Sequence, residues 1–230
     1  HFPESALTGY IGTDVPTFTG YDWDLLNESL DKVAGSAAEN SIWAVVGTAY
    51  PGSDANKPFN SLCLISPEGR IQDRYDKRFC MKSELRRHTP GSRFVFFEIN
   101  GIKCSLLICF DLRFPELYRQ LWKDGVQCLF QSFYNARQSG PSVHTHIMRQ
   151  SMQCRAATNH MWVSMSNASG WYSPYPSCFI QPDGKIMGRL TANRAGIMIN
   201  TVDTDKKFYD PAAPFRRMAV EGKLNNGIDD

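Results

Sequence analysis

Residues 106–121, LLICFDLRFPELYRQL, run apolar to Cys109 and then switch to Asp111, Arg113, Pro115 and Glu116. Strand residues alternate between two faces. In mixed α/β proteins the C-terminal end of a strand is a common place for reacting groups. A bend after Cys109 would expose its sulfur beside the backbone N–H of Phe110, a donor suited to a developing oxyanion. A nearby cation would raise the thiolate fraction. The competing reading is a buried thiol, because free cysteine behaves as a small hydrophobe. That second reading is the one adopted for the other six cysteines, at 63, 80, 104, 128, 154 and 178.

Three more side chains could serve such a sulfur. Lys77 closes RYDK amid charged and aromatic neighbours, either as a surface lysine or as the cation that holds a thiolate and an oxyanion. Glu4, in HFPES, is a loop carboxylate or a base. Glu84 is the one acidic residue in a stretch with Arg78, Lys82, Arg86 and Arg87, where an exposed ion pair is the plain alternative. His144 and His146 form H-x-H without a third ligand in register, thin grounds for a metal site. Positions two apart on a helix do not share a face, so both are read as structural or rim residues.

The elements that must position these groups can be read from pattern. Residues 21–40 carry Leu25, Leu26, Ser29, Val33 and Ala37 at helical spacing behind Asp22 as N-cap. Residues 41–51 read as a buried strand, and 60–77 as two strands turning at Pro67-Glu68-Gly69. Residues 93–110 form a hairpin around Asn100-Gly101, the strongest short turn signal in the chain. A helix over 115–125 opens on Pro115 and stops at Gly125. There follow a strand (126–133), a helix (143–159), a strand (160–167), a hairpin at Pro182-Asp183-Gly184 (176–190) and a last strand (195–203). Residues 221–230 read as a tail. Hairpins mixed with strand–helix–strand units predict packed sheets with helices outside, an α+β fold in one domain over 1–230.

Bulk properties fit a globular enzyme. The chain has 230 residues, 42% hydrophobic and 21% charged, with net charge +2 and both signs interspersed. Nothing in that balance points to nucleic acid or an anionic membrane. No apolar run approaches a membrane span. Seven cysteines without C-x-x-C spacing suit a reducing, cytoplasmic setting better than a disulfide framework.

The order FPE, YDK, ICFDLRFPEL resembles the carbon–nitrogen hydrolase (nitrilase) superfamily. RAATNHMWVSMSN resembles that family's RA-x-E-N helix and strand, with Thr158 in place of Glu, and SCFIQPDGKI resembles its P-D-G hairpin. The resemblance implies a four-layer α-β-β-α sandwich and a Glu4–Lys77–Cys109 triad. It implies Glu84 as a supporting carboxylate and Phe110 N–H with Lys77 at the oxyanion, with no metal or organic cofactor. The family's first strand, first helix and part of its second strand precede the position of Glu4, so the chain is expected to lack them.

The implied reaction is hydrolysis of a small amide through a cysteine thioester, releasing ammonia or an amine. CFDLRFPEL looks more like the small-amide branches, omega-amidase-like proteins included, than like nitrilases, which usually carry Trp-Glu after the cysteine. Carbamoyl-amine hydrolysis, nitrile hydrolysis and a non-catalytic scaffold of the same fold are the alternatives. Phe110, Arg113, Gln131, Phe133, Tyr134 and Asn135 are the expected pocket residues. Arg113 either binds a substrate carboxylate or pairs with Asp111 or Glu116. A homodimer or larger homo-oligomer is expected by resemblance.

Overall fold

The computed structural model describes residues 1–227; of the expected tail, 228–230 lie outside the described residues. Two sheets face each other. The first has three antiparallel strands, β1 (Ala44–Tyr50), β2 (Phe59–Ile65) and β3 (Ile71–Asp76), in that order. The second has six: β4 (Phe96–Ile99), β5 (Ile102–Ile108), β6 (Cys128–Phe133), β7 (Trp162–Asn167), β8 (Cys178–Ile180) and β9 (Ile186–Arg189). Its centre, β5–β6–β7, is parallel, and antiparallel hairpins close both flanks. Parallel strands covered on both faces read as near-continuous apolar runs, as CSLLI and CLFQSF do.

Alternation along β1 and β2 splits their side chains between two cores. Ala44, Val46, Cys63 and Ile65 meet Leu30, Ala34 and Ala37 of helix α1 (Trp23–Glu39). Val45, Leu62 and Leu64 join Leu106 and Ile108 of β5 between the sheets. Helices α2 (Pro115–Lys123) and α3 (Val143–Asn159) cover the second sheet through Leu117, Tyr118, Leu121, Met148, Met152 and Ala156. The result is the α-β-β-α sandwich the sequence implied.

Asp22 caps α1 as expected, accepting from Leu25 N at 2.8 Å. The buried stripe of α1 is Leu26, Leu30, Ala34 and Ala37. Leu25, one of the residues at helical spacing, is exposed. The Asn100-Gly101 hairpin forms with both residues at positive φ.

Two readings are corrected. Residues 195–203 join neither sheet. Their side chains do alternate, with Met198 and Val202 against the Trp162–Phe179 cluster and Ile197 and Ile199 exposed. Met198 and Asn200 lie against Gly188 of β9, but no ladder joins the segment to either sheet, so pattern alone does not make a strand. In addition, a short helix, α4 (Ala213–Val220), forms where none was read. It docks through Arg216, whose guanidinium grips Asp210 on two oxygens and donates to Thr158 O at 3.0 Å.

One glycine in β1 matters for the site. A Cβ on Gly47 would lie 2.1 Å from Pro3 O and 2.6 Å from Ser5 N. The turn that carries Glu4 thus lies directly on β1, tied by Phe2 N to Val45 O and Leu7 N to Gly47 O, both at 2.9 Å. Gly47→Ala is expected to lift this turn and lower stability by about 1–3 kcal/mol, read from urea unfolding midpoints. An unchanged midpoint would show that the turn is not held there.

Candidate active site

Strand ends deliver the site. Lys77 follows β3, Cys109 follows β5, Tyr134 and Asn135 follow β6, and Asn167 ends β7. Glu4 comes from the turn pressed on β1, and Glu84 opens a single 3₁₀ turn (Glu84–Arg86).

Lys77 is wholly buried, as is Glu4, and Glu84 is nearly so. Lys77 Nζ donates to Glu4 Oε1 at 2.9 Å and to Glu84 Oε1 at 2.6 Å. Neither Lys77 nor Glu84 is the surface residue that composition alone would suggest. Asn60 Nδ2 donates to Glu4 Oε1 at 2.7 Å, and Tyr134 N–H to Glu4 Oε2 at 2.8 Å. Glu84 also accepts from Tyr10 OH at 2.8 Å and from Met81 N at 2.7 Å. Burial opposes the charge on Lys77, but the attraction of Glu4 and then Glu84 outweighs it and holds the ammonium well above its usual range. Burial likewise works against the Glu84 carboxylate, yet Lys77 and its other donors keep its pKa below normal.

Cys109 adopts φ +40° at the start of a 3₁₀ turn (Cys109–Arg113). A non-glycine residue in that region is strained by roughly 1–2 kcal/mol. Asp111 braces it. Its Oδ2 accepts from Ile108 N at 3.0 Å and Tyr75 OH at 2.7 Å, and its Oδ1 from Phe79 N at 3.0 Å. Burial raises the Asp111 pKa to about 6. Arg155, from the RAATN stretch, donates to Leu112 O at 3.2 Å and so holds the far end of the same turn. Gln131 Nε2 reaches Cys109 O at 3.5 Å.

The half-buried sulfur faces a cavity of about 250 Å³ lined by Tyr10, Phe110, Arg113, Tyr134, Asn135 and His144, among others. Asn135 Nδ2 lies 3.6 Å from Sγ. Asn135 is itself fixed by Asn167, whose Oδ1 accepts from Asn135 N at 2.9 Å. Burial and then the Glu4 charge push the thiol well above its ordinary pKa, and Lys77 only partly offsets them. Lys77 does lower the thiol pKa, as expected of a neighbouring cation, but burial and Glu4 outweigh it. The surroundings of the sulfur thus favour the thiol over the thiolate.

Of the expected pocket residues, Phe110, Arg113, Tyr134 and Asn135 line the cavity. Phe133 does not: it is fully buried, edge-on to Tyr175. Gln131 is also buried, accepting from Tyr118 OH behind the cysteine turn. Both lie within β6, packed in the interior, whereas the cavity takes the residues just beyond the end of that strand. Asp111 spends its oxygens elsewhere, and no ion pair joins Arg113 to Asp111 or Glu116 among the described residues.

Tyr10, Asn60, Asp111 and Asn167 escaped the sequence reading of the site. Asn60 had a usable signal, a lone amide opening an otherwise apolar strand; Tyr10 had none in its spacing. Among the described residues no group of three or more His, Cys, Asp or Glu is arranged to hold a metal ion, and no helix is long and apolar enough to cross a membrane.

Residues 1–206 match the carbon–nitrogen hydrolase family, and the chain belongs to it. It is 29% identical over 169 residues to an (R)-stereoselective amidase of Pseudomonas sp, covering 74% of this chain but only 58% of that protein. It is 25% identical over 204 residues to the omega-amidase NIT2 of Homo sapiens, covering 82% and 71% of the two chains. Among solved structures, an amidase from Nesterenkonia sp. superposes with a TM-score of 0.69 at 21% identity, over 82% of this chain and 71% of that one, a likeness of fold.

Two outcomes are expected. Asp111→Asn turns an amide NH₂ onto a backbone N–H and should cost about 1–3 kcal/mol with slower Cys109 alkylation; full stability in thermal unfolding would remove Asp111 from this role. Thiolate absorbance, taken as the difference from Cys109→Ser, should titrate above a free cysteine, roughly pH 8.5. The midpoint should fall in Glu4→Gln and rise in Lys77→Met.

Proposed function

We propose that this protein hydrolyses the carbon–nitrogen bond of a small amide through a thioester on Cys109. The observation that carries the reading is a buried ammonium bridging two carboxylates beside a cavity-facing thiol. Glu4 takes the thiol proton as sulfur attacks the carbonyl carbon. Its acceptance of that proton is favoured at the moment of attack, since the developing oxyanion compensates Lys77. Lys77 and the Phe110 N–H receive the oxyanion. Glu4 returns the proton to the leaving nitrogen, releasing ammonia or an amine, and then activates water against the thioester. Glu84 holds Lys77 in register.

The names of relatives, an (R)-stereoselective amidase and an omega-amidase, support amides over nitriles or carbamoyl amines. The cavity, about 250 Å³, lies below the roughly 300–1,000 Å³ of drug-sized sites, which favours small substrates. Arg113 lines that cavity, and among the described residues no carboxylate pairs with it, so we assign it to an acidic group on the substrate. Seven free cysteines suit a reducing, cytoplasmic compartment. We also assign a homodimer or larger homo-oligomer, which a monomer mass in light scattering would reject.

An ammonia-release panel of neutral amides, acid-bearing amides, nitriles and carbamoyl amines tests the assignment. Small amides should be turned over and Cys109→Ala should lose at least about 10³-fold. Arg113→Met should cut kcat/KM for acid-bearing amides roughly 10–100-fold while sparing neutral ones. Carbon dioxide release, nitrile preference, or turnover that survives Cys109→Ala would overturn it.

A further inference from the structure

Tyr10 touches both carboxylates' supports from outside the expected triad. Its hydroxyl donates to Glu84 Oε1 at 2.8 Å, the same oxygen that accepts from Lys77 at 2.6 Å. Its ring stacks on Tyr134, with centroids 4.4 Å apart and planes 10° from parallel. The Tyr134 N–H in turn holds Glu4 Oε2. Tyr10 also lines the cavity that the sulfur faces.

The segment that carries Tyr10 is built to hold it there. Tyr10 N–H donates to Asp14 Oδ2 at 3.0 Å, and Asp14 N returns a bond to Tyr10 O at 2.8 Å. A Cβ on Gly9, at φ +78°, would lie 2.9 Å from Asp14 Cβ, so the turn is closed tightly. Asp14 then pairs with Arg137 at 2.6 Å, three residues beyond Tyr134. Residues 10–14 thus grip 134–137 twice, once by ring stacking and once by charge.

We propose, resting on the amidase reading above, that Tyr10 is a positioning residue: its hydroxyl fixes Glu84 so that Lys77 stays shared between the two carboxylates, and its ring fixes the Tyr134 segment that aims Glu4. Without the hydroxyl, Lys77 is the one side-chain donor left to Glu84 Oε1 among the described residues. The lysine is then drawn toward Glu84 and away from the oxyanion position. With one donor fewer, the Glu84 carboxylate also takes up a proton at higher pH, and with it Lys77 loses one of its two counter-charges.

Tyr10→Phe keeps the stacked ring and removes only the hydroxyl. It should lower kcat on a small neutral amide by about tenfold or more with KM changed less than about threefold. It should also move the acidic limb of kcat/KM to higher pH by about half a unit or more. Tyr10→Leu removes the stack as well and should raise KM in addition. A second readout needs no turnover. The Glu84 carboxyl carbon, followed by carbon-13 NMR and assigned with Glu84→Gln, should titrate at higher pH in Tyr10→Phe. If wild type hydrolyses no amide, the function assignment fails, and the NMR midpoint alone decides the role of Tyr10. A folded Tyr10→Phe protein with wild-type kcat and acidic limb, or with an unmoved Glu84 midpoint, overturns the proposal.

Discussion

Everything in this site depends on one ammonium held out of water between two carboxylates. Moving a lysine charge into the interior costs several kcal/mol unless it is matched there. Lys77 is matched by Glu4 and Glu84, and the surplus negative charge is spread over neutral donors: Asn60, Tyr134 N–H, Tyr10 OH and Met81 N–H. The same low-polarity setting that makes the ammonium costly makes each of these contacts strong. Removing either carboxylate leaves the lysine half-matched. Removing the lysine leaves two buried carboxylates repelling each other.

That arrangement also sets the state of the sulfur. Burial disfavours a thiolate first, and Glu4 repels it more than Lys77 attracts it, so the balance favours a protonated Cys109. On the proposed mechanism this is an advantage: the proton moves to Glu4 only when an oxyanion forms to take up the charge of Lys77. The backbone strain at Cys109 fits the same scheme. A left-handed residue lifts the sulfur off the end of β5, and Asp111 and Arg155 hold both sides of that bend.

Much of this could be read before any coordinates. The abrupt polar switch after Cys109 marked a strand end, and Asn100-Gly101 and Pro182-Asp183-Gly184 marked hairpins, because these signals are local and depend on backbone conformation. Glu84 and Lys77 could not be recognised as buried from their neighbours, since only the fold brings the distant Glu4 to Lys77. Phe133 and Gln131 were misplaced for a simple reason: they lie inside β6, and only residues past the end of that strand reach the cavity. The stretch 195–203 has a strand's alternation and packs by side chains, yet joins no sheet ladder, and backbone pairing is not a local property. The helix over 213–220 is short, and its docking rests on the Arg216–Asp210 pair rather than on a long apolar stripe.

The central claim is that sulfur 109 becomes acylated during turnover. Acid-quenched samples taken within the first turnovers of a small amide, digested and weighed, test it directly. The account requires the peptide containing residue 109 to gain the mass of the substrate less ammonia, in a form that hydroxylamine removes. An acyl group on a different cysteine, such as Cys80, or steady turnover with no acylated peptide, would contradict it.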